Sequence, residues 1–220
     1  MLRYSPKQIA EMLDSFIWTF RVGDNISYNL RILFKLYEDK DRSSDKRIYN
    51  KLIIIEIVSI IESLMYDLVL RLDQATNHFP ATISKERQDE IDKKLHSEKV
   101  IKEVYILNQR MRVQKVSNYS MDKMIKLFEE FQLFGHSRSG VYTRLQTAAR
   151  LRNRIHIFNW WNNFEEKEWN TFSDSKLEEI EKLLNGVLSY MSRIYPRPKP
   201  GGNSENWLNE IISSISVEKI

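Results

Sequence analysis

The chain has 220 residues, with 34 Lys and Arg against 30 Asp and Glu for a formal net charge of +4, a size that suits one large helical domain or a compact domain with an appended tail. At 42% hydrophobic and 29% charged residues it is neither a disordered polyampholyte nor a membrane chain, and six glycines with five prolines are too few for collagen-like or turn-dense β architectures. The lack of any cysteine excludes disulfide scaffolds, thiolate zinc sites and cysteine nucleophiles.

Helix signals recur from end to end, so the expected fold class is all-α, a helical bundle. Ser5 before Pro6 provides an N-cap and a first-turn proline. Ile9, Met12, Leu13, Phe16, Ile17 and Phe20 follow at helical spacing until Gly23 offers a stop. Asp24 or Asn25 can cap a second helix carrying Ile26, Leu30, Leu33, Phe34 and Tyr37. The polar run from Lys40 to Arg47 closes that pair, giving an N-terminal unit over 1–47.

A third helix from about Ile48 to Asp73 is apolar nearly all round and is expected at the centre of the core. The run Leu52 to Leu70 is long enough to span a bilayer, but Glu56, Glu62 and Asp67 would each be costly in hydrocarbon. It reads as a buried helix of a chain with no membrane role. The N-terminus lacks an apolar signal core and a small-residue cleavage site, so the default location is cytoplasmic.

Pro80 marks a turn, and residues 85–116 read as a long, charged, protruding helical stretch with a break near Leu95 to Ser97. Ser120 caps a short helix with Met121, Met124, Ile125, Phe128 and Phe131, closed by Gly135. After the loop HSRSG, an arginine-rich helix is expected over about Val141 to Ile157. Ser175 and Glu178 form a capping-box pattern for a helix ending before Pro196. These elements make up a bundle over 48–195. A Pro/Gly linker covers 196–203, and a tail helix over 204–220 presents Trp207, Leu208, Ile211, Ile212 and Ile215.

Charge is unevenly distributed. Between Glu130 and Glu165 there is no acid, while Arg138, Arg144, Arg150, Arg152 and Arg154 fall there with His136 and His156. A block of seven acids from Glu165 to Glu181 follows, able to neutralise the basic one if the two helices are neighbours.

Within the basic stretch, Arg152 and His156 stand four residues apart and project from one helix face, where they can hold one phosphate between them. Tyr142, Leu145 and Ala149 precede them on the same stripe, so the pair continues a core-facing or partner-facing seam. Asn153 can orient the imidazole or bond a ligand oxygen. Arg144, Arg150 and Arg154 point elsewhere and suit electrostatic contact with RNA. Trp160 and Trp161 can stack unpaired bases or fill the core. Glu56 shares a polar stripe with Ser59, Ser63 and Asp67, and its carboxylate needs a partner, for which Arg152 is the expected candidate. Glu62 is expected to be a surface acid. His78, His96 and His136 have no carboxylate or histidine at ligand spacing, so no metal and no cofactor are expected.

The segment LRNRIH, with Arg152, Asn153 and His156, is similar to the signature of the HEPN superfamily: an arginine, a polar residue, and a histidine near a helix end. The apolar, acid-bearing helix from Asn50 to Val69 resembles the one that packs against that motif. The likeness covers about residues 48–192, and three residues separate Arg152 from His156 where the family pattern has four to six. The resemblance implies metal-independent cleavage of single-stranded RNA at the groove of a homodimer, in a toxin or defence effector with an antitoxin or other protein partner. Two alternatives stay open. In one, Arg152 and Asn153 only tie helix ends by hydrogen bonds; in the other, the fold is a non-catalytic nucleic-acid-binding or adaptor module.

Overall fold

The computed structural model describes residues 4–17, 20–74, 83–97, 99–106, 109–116, 119–154 and 168–197. Helix α1, Pro6–Phe16, starts on a capping box: the Ser5 hydroxyl accepts the Gln8 N–H at 3.3 Å while the Gln8 side chain accepts the Ser5 N–H at 2.9 Å. It ends at Ile17, whose ψ of 129° leaves the helical region. Helix α2 then runs through Phe20–Arg42, so the expected stop at Gly23 is an interior position instead. Buried Val22 and Ile26 lie on either side of that glycine, and their burial outweighs a glycine cost of about 1 kcal/mol.

A 3-10 turn, Lys46–Tyr49, leads into α3, Asn50–Gln74. Ile53, Ile54, Ile57, Val58, Ile61 and Leu64 are all fully buried. Helix α3 packs against α2 and four later helices: α4 (Lys85–Ser97), α5 (Met121–Glu130), α6 (Val141–Asn153) and α8 (Asp174–Ile194). It is the central element that its apolar sequence predicts. A one-turn α7, Glu168–Thr171, precedes α8.

Two buried polar residues set α3 against α8. At the start of α3, the Asn50 amide donates to the Phe172 carbonyl at 3.1 Å and to Asp174 Oδ1 at 2.9 Å, and its oxygen accepts Lys40 Nζ at 2.7 Å. At the other end, Arg71 donates to the carbonyls of Tyr195 (2.6 Å) and Pro196 (2.9 Å). The beginning of one helix therefore meets the beginning of the other, and end meets end: α3 and α8 run parallel. Helix α8 is capped by Ser173, whose hydroxyl accepts the Lys176 N–H at 3.3 Å, two residues before the expected Ser175. Starting there extends the helix to Asp174, which the Asn50 amide, and then Lys40 and Arg47, hold below the usual carboxylate range.

The stretch 85–116 corrects the helical expectation. Helix α4 ends at Ser97, within the anticipated break, and strands β1 (Lys99–Ile106) and β2 (Gln109–Val116) then pair antiparallel in register from Lys99↔Val116 to Ile106↔Gln109. The physical reason is composition. Val100, Ile101, Val104, Tyr105, Ile106, Val113 and Val116 are β-branched or aromatic, residues that favour a pleated surface over a helix. The hairpin is an appendage on an all-α bundle, since among the described residues it forms the only sheet and has two strands. No described helix is long and apolar enough to cross a membrane.

The turn between α5 and α6 bears on the candidate site. Gln132 (φ 51°) and Gly135 (φ 90°) adopt left-handed backbone there. Two tyrosines grip the turn, one from α6 and one just past the end of α8. The Tyr142 hydroxyl donates to the Gly135 carbonyl at 2.9 Å and accepts the Phe134 N–H at 3.1 Å, and the Tyr195 hydroxyl donates to the Leu133 carbonyl at 2.7 Å. Burial pushes the Tyr142 phenol up to about 12 and raises that of Tyr195 as well.

Candidate functional site

Helix α6 carries the described part of the motif. It begins at Gly140, whose φ of 71° places it in the left-handed region, without a side-chain cap bond from that residue. Tyr142, Leu145 and Ala149 are buried along one stripe, as the sequence spacing predicts, with Ala148 buried beside them. Arg152 continues that stripe and meets α3, where its guanidinium donates to Glu62 Oε1 at 3.0 Å. The side chains of Arg152 and Glu62 are 35% and 22% exposed, so the pair is half-open.

This corrects the expected pairing. Arg152 binds Glu62, not Glu56, and Glu62 is a partly buried partner and not a free surface acid. The reason is helical geometry. The two acids are six residues apart, which sets them about 120° apart around α3, and α6 lies on the Glu62 side. The Glu56 Oε1 atom is buried without a hydrogen-bond partner, and burial raises the Glu56 carboxyl above the ordinary carboxylate range. Ser59 and Ser63, on the same stripe, donate to carbonyls one turn back: Ile55 at 3.0 Å and Ser59 at 2.9 Å. Asp67, also on it, is buried one turn before Arg71.

Asn153 is exposed at the last position of α6. Arg144 and Arg150 are exposed too. Arg150 lies roughly 160° around the axis from Arg152, so the two cannot grip one ligand from a straight helix. Arg154 donates to the Thr171 hydroxyl, which ties the end of α6 to the segment before α8. His136 is exposed and caps the turn before α6, its Nδ1 accepting the Arg138 N–H at 3.2 Å. His156, Trp160, Trp161, His78 and the tail over 204–220 lie outside the described residues.

The structure thus brings together Arg152 and Glu62, leaves Glu56 on another side of α3, and gives Arg154 a structural bond. Sequence reasoning missed Glu62 as the partner and Thr171 altogether. Neither had a local signal: the polar stripe of Ser59 and Ser63 points to Glu56, and nothing in the sequence marks Thr171. Chemically, Arg152 can present guanidinium donors to one anionic oxygen cluster, with Glu62 fixing its position and competing for it. Among the described residues no group of three or more His, Asp or Glu side chains is arranged to hold a metal ion. In comparison with known proteins, the chain matches no family model, no curated protein and no solved structure.

Proposed function

We propose that this chain is a HEPN-type, metal-independent endoribonuclease acting on single-stranded RNA as a homodimer. The observation that carries the reading is the placement of Arg152: it leaves a core-facing stripe at a half-open position, is steadied by one acid, and stands in a stretch of sequence without other acids. In this reading the guanidinium binds the scissile phosphate and stabilises the charge that develops on it. The imidazole of His156 takes the proton of the ribose 2′-hydroxyl as that oxygen attacks phosphorus, and a proton returns to the departing 5′ oxygen. The products are a 2′,3′-cyclic phosphate and a 5′-hydroxyl. Asn153 supports the imidazole. Exposed Arg144 and Arg150 attract the strand, and Arg154, Trp160 and Trp161 complete the RNA-binding set. A two-fold dimer doubles the acid and base groups in one groove.

The test is cleavage of single-stranded RNA in EDTA by the purified chain. Wild type is expected to leave cyclic phosphate ends, while His156→Ala keeps its helical circular dichroism and loses cutting. Equal inertness of the two on varied RNAs sinks the catalytic reading. The 3.0 Å bond between Arg152 and Glu62 favours a second reading in that event, a tie between α3 and α6 in a non-catalytic RNA-binding or adaptor module.

A further inference from the structure

A groove of about 590 Å³ runs along the outer side of α8 beside Tyr4, away from the seam between α3 and α6. The acids that line it are already engaged. Glu178 holds Lys182 at 2.6 Å, and Glu181, only 2% exposed, accepts the Tyr37 hydroxyl at 2.6 Å. The cation at the far end is not matched in this way: Arg193 lies over the Tyr190 ring, 5.9 Å from its centroid, and has no acidic partner among the described residues.

Asn185, Ser189 and Arg193 line the groove at successive i, i+4 positions. The Asn185 Oδ1 atom is buried without a hydrogen-bond partner, which leaves the amide NH2 as the group that can serve the groove. The stripe is therefore a ladder of three hydrogen-bond donors, an amide, a hydroxyl and a guanidinium. Its rungs are about 6 Å apart along the helix axis. An extended peptide presents same-side carbonyls at a similar repeat, about 6.6 Å for every second residue. Gly186 lies beside the ladder, and a Cβ there would meet nothing within 4 Å, so a backbone can approach closely. The rings of Tyr4 and Tyr190 wall the space for side chains.

We propose that this groove binds the free C-terminal end of an extended polypeptide, its carboxylate on Arg193 and alternate carbonyls on Ser189 and Asn185. One cation without an acidic partner among the described residues suits a monoanion. With Glu178 paired to Lys182 and Glu181 bonded to Tyr37, Arg193 offers a single charge, which matches one carboxylate and falls short of a phosphate dianion or a nucleic-acid strand. The ligand runs parallel to α8 and spans about five residues between Asn185 and Arg193, given an axial distance of about 12 Å and about 3.3 Å per extended residue. The site does not depend on the ribonuclease reading.

The experiment probes the full chain with an array of randomised pentapeptides bearing free carboxyl ends and with its C-terminally amidated twin. The free-carboxyl array is expected to bind about tenfold more strongly, the value of one charge-assisted hydrogen bond. Arg193→Gln should remove that difference with the helical signal intact. Gly186→Leu, which fills open space with a good helix former, should block binding to both arrays. Equal binding to the two arrays, no binding to either, a preference that survives Arg193→Gln, or displacement of the peptide by a mononucleotide would each overturn the proposal.

Discussion

Arg152 of α6 and Glu62 of α3 meet at 3.0 Å where the two helices pack, and neither side chain is fully withdrawn from solvent. A pair in this half-open setting stabilises less than its short distance suggests, because solvent screens it and both long side chains lose freedom. A double-mutant cycle on Arg152→Ala and Glu62→Ala should give a coupling of about 1 kcal/mol in urea denaturation. If Arg152 also grips phosphate, Glu62→Gln should tighten RNA binding, since the competing carboxylate charge is gone. Weaker binding in that variant would mean that Glu62 organises the site more than it competes in it.

Glu56 offers a pH-dependent readout. Its folded pKa is raised by burial, so the native state holds its proton more tightly than the unfolded chain does. Stability should therefore fall as pH rises from the unfolded glutamate value, about 4.3, through the folded one, and then level off. Glu56→Gln should be more stable than wild type at pH 7, and the advantage should vanish below about pH 4. Thermal melts across this range give the comparison, and a wild type more stable than the variant at pH 7 would show that the carboxylate finds a stabilising partner.

Asn50 is fully buried and joins α2, α3 and the start of α8. Asn50→Leu should cost about 2 to 4 kcal/mol, because it strands a buried carbonyl and parts the Lys40 ammonium from its oxygen partner. Chemical denaturation measures this directly. A change below half a kcal/mol would mean that water replaces the amide without loss.

Tyr195→Phe removes one hydroxyl from a buried position and leaves the Leu133 carbonyl without its donor. The expected loss is about 1 kcal/mol in global stability. Amide exchange should accelerate most over 131–136, the turn that the hydroxyl holds. Uniform acceleration across the bundle would place the effect in the core and not in the turn.

The sequence is most readable where one physical cause acts alone. Helix α3 is apolar on nearly every side, so its central place follows from composition, and the stripe of Tyr142, Leu145 and Ala149 tells which side of α6 faces inward. The hairpin was obscured because Lys99, Lys102, Arg110, Arg112 and Lys115 interrupt its β-branched residues, giving a charged stretch that resembles a solvated helix. The choice between Glu56 and Glu62 was not legible at all. Glu56 stands on the polar stripe and Glu62 off it, and only the side on which α6 docks decides between them, a long-range relation that no local pattern encodes. Gly23 misled for a related reason: its local signal to stop is weaker than the burial of Val22 and Ile26 around it.

The turn held by Tyr142 and Tyr195 has a mechanical consequence. One of these residues belongs to the arginine-bearing helix, and the other supplies the carbonyl that Arg71 holds at the end of α3. The same segment continues to Arg197, whose N–H donates to the Ser15 carbonyl at 2.7 Å and whose guanidinium lies 3.5 Å from Asp14 at the end of α1. A force applied to α6 is therefore carried through the turn into the end of α8, and from there into both the central and the first helices. The bundle meets such a load as one braced frame, its turn, central helix and first helix tied through a single segment.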